Sequence, residues 1–538
     1  MSIFKDHTVK REKFEIIAKT FQGLEDVLAE EIINLGGDNV SIGRRMVSFT
    51  GDLELLYKAN LHCRTALRIL KPIYSFTASD TDEVYTKIKE VPWEKYLTPQ
   101  QTFSIDSVVY SEEFKHSKFV TYRAKDAIAD YFTDKGSERP SVRINNPDIT
   151  LNLHISGHNC TLSLDSSGES LHKRGYRVRQ TEAPINEVLA AGMILKTGWR
   201  GDSAFLDPMC GSGTILIEAA LIALNIAPGI YRQGFGFEKW NDYDEELFER
   251  LYNDDSFERP FGFTIYGSDI SPKAVSIAEE NIKSAGVSKY IDLQVKPLQQ
   301  YENAPADKGV IVTNPPYGER LSSQDLLGLY EMIGERLKHV FKGYDAWIIS
   351  YRDECFDKIG LKPATKIDLM NGALECQYRK YEIFSGKYNE FKKTTGGFRE
   401  KRMPAPGYAA KEDARSEKRE FHRDSPQKTD FRSRDKKEPG KKFPERRNER
   451  FGSAERQDKK PDRKPFEKNR PAREEWKKPS DIPETAREVP RWKILRDANL
   501  KKEEKPRRER FYGSRPPVSE RFKNHKKKTG DDENNLSE

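Results

Sequence analysis

Cysteine is scarce in this chain of 538 residues, and long apolar runs are missing. The five cysteines form no Cys-x-x-Cys pair and do not cluster with histidine, which argues against a disulfide framework and against a zinc site. No stretch approaches the roughly 20 apolar residues that a membrane-spanning helix requires. The N-terminus also lacks the apolar core of a secretory signal. We therefore expect a cytoplasmic protein with no metal site and no membrane anchor.

Aliphatic residues almost vanish after about residue 390. Residues 401–538 contain 43 Lys and Arg against 28 Asp and Glu, a net charge of +15, whereas residues 1–400 contain 50 and 58 and are net acidic. Because so little apolar surface is available to offset chain entropy, we predict that residues 389–538 are a disordered basic tail. One short amphipathic stretch, 490–500 (PRWKILRDANL), is a candidate to fold on a partner.

The first 388 residues have two different patterns of secondary structure. Residues 1–168 carry short helices and strands in mixed order without a strict strand–helix–strand repeat, which indicates one or two small α+β domains. From about residue 184, predicted strands and helices alternate regularly. That alternation is typical of a doubly wound α/β fold around a mostly parallel sheet.

A glycine-rich stretch, DPMCGSGT at residues 207–214, follows a predicted strand at 203–206 and opens a predicted helix at 213–225. Gly211 and Gly213 carry no side chain, so the backbone can approach a ligand closely. The N-terminus of the following helix offers unpaired N–H groups to a carboxylate. No lysine follows the glycines, which argues against a nucleoside-triphosphate loop. A plain strand–helix turn has the same signature, so this motif alone leaves both interpretations open.

An acidic residue, Asp269, ends the next predicted strand, at 263–268. At that place in a doubly wound fold an acid can hold the two hydroxyls of a ribose. The same residue could instead cap the following helix, which Ser271 and Pro272 help to start. The residue by itself does not distinguish the two roles.

A third motif, NPPYGER, follows the predicted strand at 309–313. Two consecutive prolines make a rigid turn, which leaves the Asn314 amide oxygen and the Pro315 carbonyl free of any helix. Tyr317 adds an aromatic face. Such a set suits a flat base that carries an amino group, although a loop with an exposed aromatic residue is the competing interpretation.

In combination, DPMCGSGT, YGSDI and NPPYGERL resemble the class I S-adenosylmethionine-dependent methyltransferases that act on exocyclic amines. With LHKRGYR upstream and NGALEC downstream, the chain is most similar to the RlmL-type 23S rRNA guanine-N2 methyltransferases. The resemblance covers roughly residues 1–387. It implies a ferredoxin-like segment at 1–60, a THUMP RNA-binding domain at 61–168 and a Rossmann-like methyltransferase domain at 169–388. No second glycine loop or NPPY motif is present, so a single activity is implied.

The resemblance implies S-adenosyl-L-methionine as the cofactor. In the family it lies against the glycine loop, the acid after the next strand and the segment before the first helix of the domain. The matching residues are Pro184, Asp207, Cys210, Gly211, Ser212, Gly213, Thr214, Asp269 and Ile270. The target amine would be bound by the matching Asn314, Pro315, Pro316 and Tyr317. Where related enzymes carry a further acid against the adenine amine, this chain has Pro297.

RNA binding is implied for residues 61–168, through shape and phosphate contacts. The candidate contacts are basic residues of a predicted helix at 117–134 and of the HKRGYR stretch between the two halves. They are Lys118, Arg123, Lys125, Lys173, Arg174 and Arg177. For the helix residues, a solvated face is an equally good interpretation. The implied partner is 23S ribosomal RNA or an assembly intermediate of the large subunit.

Two other functions fit the same residues. An NPPY motif serves any exocyclic amine, so a guanine in tRNA or the N6 of adenine remains an alternative target. An RNA-binding assembly factor without catalysis is the second alternative, which the intact glycine loop and NPPY motif disfavour.

Overall fold

A computed structural model of the protein describes residues 12–114, 116–316 and 322–384. The predicted tail at 389–538, including the amphipathic stretch at 490–500, lies outside these residues. None of the helices described is both long and apolar enough to cross a bilayer.

Eight strands of the N-terminal half form one sheet in the order β2-β3-β1-β4-β8-β7-β5-β6. The strands are β1 (Phe14–Lys19), β2 (Asp38–Gly43), β3 (Met46–Gly51), β4 (Arg68–Thr77), β5 (Thr102–Tyr110), β6 (Ser141–Val142), β7 (Ile149–Ser156) and β8 (Asn159–Asp165). The helices are α1 (Glu25–Asn34), α2 (Leu53–His62), α3 (Thr81–Lys89) and α4 (Ser117–Asp134).

Strand β4 joins the two parts of this half, because it pairs antiparallel with both β1 and β8. Most pairs in the sheet are antiparallel, and β5 runs parallel to β6 and β7. Strands β2 and β6 are edge strands without buried side chains, so the alternation that marks a half-buried strand is missing from their sequences.

The second half forms a seven-stranded sheet in the order β11-β10-β9-β12-β13-β15-β14. The strands are β9 (Ala204–Asp207), β10 (Ile265–Asp269), β11 (Ile291–Val295), β12 (Gly309–Thr313), β13 (Tyr344–Ser350), β14 (Thr365–Asn371) and β15 (Leu374–Glu382). The helices are α5 (Glu187–Lys196), α6 (Thr214–Ala223), α7 (Glu245–Tyr252), α8 (Pro272–Ser284), α9 (Ser323–Val340) and α10 (Asp353–Lys358).

The expected doubly wound fold is confirmed, since β11, β10, β9, β12 and β13 are all parallel. The two strands that follow, β14 and β15, form an antiparallel hairpin on the β13 edge. Strand β9 is central, with β10 on one side and β12 on the other. The strand order therefore reverses at β9, and ligands of such sheets bind at the carboxyl ends next to this reversal.

The segment between α6 and β10 packs into the N-terminal half. Phe237 is fully buried and stacks on Tyr57 of α2 with ring centroids 4.2 Å apart, and Trp240 and Phe248 join the same core. Arg232 is buried nearby and donates hydrogen bonds to four backbone carbonyls of the stretch that connects the two sheets. The sequence did not indicate that this segment of the second half packs into the core of the first.

Candidate active site

Three loops meet at the carboxyl ends of β9, β10 and β12. Asp207 ends β9, and its Oδ1 accepts hydrogen bonds from the Thr313 hydroxyl at 2.8 Å and the Met209 amide at 3.2 Å. Because Thr313 is the last residue of β12, this bond ties the glycine loop to the NPPY segment. Motifs about a hundred residues apart in the chain thus adjoin at one edge of the sheet.

The carboxylate of Asp269 lies beside the glycine loop. One of its oxygens accepts from the Gly211 amide and the other from the Ser271 amide, both at 2.9 Å. Ser271 itself caps α8, accepting from the Ala274 amide, so the cap position is not held by Asp269. Each carboxylate oxygen has a further lone pair, which leaves Asp269 able to accept from a ligand hydroxyl.

The two glycines of the loop adopt left-handed backbone conformations, with φ of +54° at Gly211 and +79° at Gly213. A Cβ at Gly213 would lie 3.0 Å from the Ala278 Cβ on α8, so loop and helix pack closely there. A Cβ at Gly211 would face open space in the described part of the chain. The bare backbone at Gly211, next to Asp269, fits the close approach of a nucleoside cofactor.

Burial raises the pKa of Asp207 to about 7, with the nearby Asp269 charge acting in the same direction and the hydrogen bonds from Thr313 and Met209 opposing it. Burial also raises the pKa of the neighbouring Cys210 thiol well above its usual range, which makes that thiol inert. A buried carboxyl that titrates near neutrality is well suited to hold a cation, because a positive charge beside it favours its ionised form.

Arg177 makes hydrogen bonds to the glycine loop and to the segment before α5. Its guanidinium donates to the Thr214 hydroxyl at 3.0 Å and the Ser212 hydroxyl at 3.4 Å, to the Ile185 carbonyl at 3.0 Å, and to the Glu187 carboxylate at 2.8 Å. This one side chain therefore links the loop to the segment before α5. Pro184 of that segment is half-buried.

The backbone around Arg177 is fastened to the same loop by Asn281 of α8. The Asn281 amide nitrogen donates to the carbonyls of Ser212 and Arg179, and its oxygen accepts from the amides of Val178 and Arg179. Buried side chains thus hold Ser212 in place from two directions. Asn281 and Thr313 were missed by sequence analysis, because nothing in their local sequence distinguishes them from ordinary helix and strand residues.

The NPPY segment is described as far as Pro316. The Asn314 side-chain oxygen is buried and has no hydrogen-bond partner among the described residues. Pro315 is buried, whereas Pro316 is exposed. Tyr317 lies outside the described residues. An orphaned buried acceptor costs about 1–3 kcal/mol, so the position calls for a donor from a ligand.

Two apolar side chains flank the acid of β10. Ile270 is 70% exposed, and Val295, which pairs with Asp269 across β10 and β11, is 52% exposed. The Lys296 amide donates to the Asp269 carbonyl, and Pro297 follows as the start of a short 3₁₀ turn. Ile270 and Val295 are thus exposed apolar neighbours of Asp269, one in the chain and the other in the sheet.

Models of known families match three consecutive stretches of the chain. The RlmL ferredoxin-like domain matches residues 15–70, the THUMP domain matches residues 78–165, and the RMKL-like methyltransferase domain matches residues 174–380. A protein of Synechocystis sp. named as an RNA methyltransferase is 36% identical, over 68% of this chain and 96% of its own length. The chain belongs to the RMKL-like methyltransferase family.

Other members of this family extend the comparison. The ribosomal RNA large subunit methyltransferase K/L of Syntrophotalea carbinolica is 40% identical over 68% of this chain. The match covers 53% of that protein, so the chain spans about half the length of most curated relatives that it matches. A solved methyltransferase structure in complex with SAH, SMU.472, is 31% identical, with a TM-score of 0.63 over 70% of this chain and all of its own. The expected cofactor, S-adenosyl-L-methionine, is confirmed as that of the family.

The first group of basic residues expected to contact RNA lies on α4. Lys118 is exposed on α4, and Lys125 lies over the exposed ring of Tyr122. Arg123 pairs with Asp82 at 2.6 Å and stacks on Tyr85. Lys118 and Lys125 lie within the THUMP match and remain candidate contacts.

Two residues of the HKRGYR stretch correct the sequence interpretation. Arg174 is only 2% exposed, donates to the carbonyls of Leu171 and Arg64, and lies 3.5 Å from the buried Glu218 carboxylate, so it is structural. Arg177 faces the glycine loop. Lys173 is exposed and pairs with Glu169, so of this stretch it alone keeps its proposed role.

Proposed function

We propose that the protein transfers a methyl group to the exocyclic N2 of a guanine in 23S ribosomal RNA. The observation that carries this proposal is the buried oxygen of Asn314, which has no partner within the part of the chain that the structure describes and follows the Asp207–Thr313 link. Such an oxygen accepts a hydrogen bond from an amino group. The exocyclic N2 of guanine is a planar amino group at the edge of the ring.

The chemistry explains why an acceptor is needed. The lone pair of the guanine amine is delocalised into the ring, so the amine is a poor nucleophile. Hydrogen bonds from the NH₂ group to Asn314 Oδ1 and to the Pro315 carbonyl localise that lone pair. Positioning and electrostatics then supply most of the rate, and no strong base is required, because the amine proton becomes acidic once the new N–C bond forms.

The cofactor site is assigned to the groups around the glycine loop. Asp269 holds the ribose hydroxyls, the Gly211 backbone allows close approach, and Asp207 provides negative charge on the methionine side. When bound, S-adenosyl-L-methionine supplies an electrophilic methyl group on a positively charged sulfur. The exposed side chains of Ile270 and Val295 provide an apolar contact for the adenine.

Support for an RNA substrate comes from outside the methyltransferase domain. The THUMP match precedes it in the chain, and several relatives at 35–40% identity carry the name ribosomal RNA large subunit methyltransferase K/L. A base in paired RNA is inaccessible to these loops, so the target must be unstacked or flipped out.

The test is to delete the gene and to map lost methyl groups on ribosomal and transfer RNA by mass spectrometry. Loss of one N2-methylguanine from 23S RNA, restored by the wild-type gene and not by an Asn314→Ala gene, is expected. Loss of a methyl group from tRNA, or loss of an N6-methyladenine, would identify that RNA or that base as the substrate instead. An unchanged methylation pattern, together with no calorimetric binding of S-adenosyl-L-methionine, would favour the non-enzymatic assembly factor.

A further inference from the structure

A cavity lies in the segment between α6 and β10, which packs into the N-terminal half. Its volume is about 240 Å³. The side chains that matter for its chemistry are Arg232, Phe235, Tyr243, Glu245, Phe248 and Glu249. Cavities that take small-molecule ligands usually measure roughly 300–1,000 Å³, so this one has the size for one or two large side chains.

The cavity combines an aromatic wall with an acidic rim. Phe235 and Phe248 are buried and meet edge to face, with ring centroids 5.8 Å apart. Glu245 and Glu249 are one turn apart on α7, and Glu245 is exposed. Carboxylates at the rim repel RNA phosphates and attract cations, so the occupant should be both apolar and basic.

Arg232 is held at the cavity wall by contacts within the body. Its terminal nitrogens donate to backbone carbonyls, and its Nε is buried with no hydrogen-bond partner among the described residues. Burial lowers the pKa of Arg232 to about 10. The cation therefore faces inwards, whereas Glu245 at the same cavity is exposed.

One segment of the chain has the matching chemistry. Residues 490–500 place Trp492, Ile494 and Leu495 between the cations Arg491, Lys493 and Arg496. Elsewhere in residues 401–538 the aromatic residues Phe511 and Tyr512 are adjacent, but only 490–500 combines a tryptophan with isoleucine and leucine. A large aromatic anchor flanked by cations is the combination that an aromatic wall with an acidic rim accepts.

The tether between the body and this segment is long enough. About 105 residues separate Phe384 from Pro490. A flexible chain of that length has a mean end-to-end distance of roughly 55 Å, so the segment can reach any face of the body. Its local concentration is then on the order of 0.1 mM, which suffices to populate an interaction that would be weak between separate molecules.

We propose that residues 490–500 dock in this cavity of the same chain, with Trp492 against the aromatic wall and the flanking cations against Glu245 and Glu249. Docking anchors the basic tail at a fixed point on the body. The lysine- and arginine-rich stretches on both sides of the anchor stay available for RNA phosphates.

Site-specific crosslinking in the full-length protein tests the proposal. Gln233 is exposed at the cavity, so Gln233→p-benzoylphenylalanine places a photoreactive group at its mouth. We expect crosslinks to peptides containing residues 490–500 of the same molecule. A Trp492→Ala/Leu495→Ala background should reduce them about tenfold, whereas Trp476→Ala, which removes the other tryptophan of the tail, should not.

A charge exchange separates docking from simple loss of structure. Glu245→Lys/Glu249→Lys should abolish the crosslink, and adding Lys493→Glu/Arg496→Glu should restore it. Crosslinks confined to other tail segments, no effect of the Trp492 variant, or crosslinks only between two molecules would each overturn docking within one chain. Crosslinks to added RNA in place of the tail would do so as well, since they would identify a different occupant.

Discussion

The two sheets of this protein place their functional groups in different ways. In the seven-stranded parallel sheet, the candidate catalytic and cofactor residues lie on loops at one edge and are joined by buried hydrogen bonds such as that between Thr313 and Asp207. In the eight-stranded, mostly antiparallel sheet, the candidate RNA contacts Lys118 and Lys125 lie on the surface of a helix. The first arrangement is a built site, and the second is a charged surface.

The difference lies in how much each side chain contributes. A buried group in such a site has fixed partners. Its removal leaves a neighbour without a hydrogen bond, or removes a contact to the substrate. A surface cation interacts with phosphate through screened charge, and its neighbours can partly replace it. Single substitutions at the parallel sheet should therefore have effects ten- to hundredfold larger than those on α4.

The largest effect is expected at Asn314. Replacing it with alanine should lower the rate of methyl transfer by about 10²–10³, because the acceptor for the target amine is lost. Cofactor affinity, measured by calorimetry, should hardly change. Asn145→Ala, at an exposed asparagine of the N-terminal half, provides the matched control and should retain full activity. An Asn314→Ala enzyme as active as wild type would remove this residue from the mechanism.

Arg177 should show a smaller effect that appears in cofactor binding. Arg177→Ala removes the side chain that links Ser212 and Thr214 to Ile185, so the Kd for S-adenosyl-L-methionine should rise about 10- to 30-fold. RNA affinity should stay unchanged, in contrast to the role expected from sequence. The control is Arg179→Ala, whose side chain pairs with Glu280 on the surface. A variant that loses RNA affinity and keeps its cofactor affinity would reverse this assignment.

The pH dependence of cofactor binding should follow the ionisation of Asp207. With a pKa of about 7, its ionised fraction falls roughly tenfold from pH 8 to pH 6, and binding of a cationic cofactor should weaken by about the same factor. Binding above neutrality should release less than one proton, and binding at pH 6 nearly one. Asp207→Asn should flatten the profile. A wild-type affinity that does not vary over this range would show that Asp207 stays in one protonation state.

The smallest effect is expected on α4. Lys118→Ala and Lys125→Ala should each weaken RNA binding about two- to threefold, and the double variant should lower the salt slope of log K by about 2. Lys338→Ala, at a lysine of α9 that pairs with Glu335, is the control. An unchanged salt slope in the double variant would favour the solvated-face interpretation of this helix.

Much of the parallel sheet could be predicted from sequence. Strand β12 was predicted with its observed bounds, since the run GVIVT is almost entirely buried and bordered by turns. The segment between α6 and β10 was not assigned. Its aromatic residues pack on α2 in the other half, and such packing leaves no periodic signal in the segment itself.

The roles of charged residues were harder to predict than the fold. HKRGYR has the composition of a phosphate-binding stretch, yet Arg174 lies beside Glu218, which is 44 residues away, and Arg177 pairs with Glu187. A charge in a sequence carries no information about its partner. Its two arginines instead stabilise the junction of the halves and the glycine loop.

By itself the sequence determined the motifs, the alternation of strands and helices, and the family resemblance, because glycine, proline and apolar spacing act over a few residues. Only the tertiary structure decided which distant groups meet: Thr313 with Asp207, Gly211 with Asp269, and Asn281 with Ser212. The physical reason is that hydrogen bonds and burial depend on distance in space, and local sequence does not encode that distance.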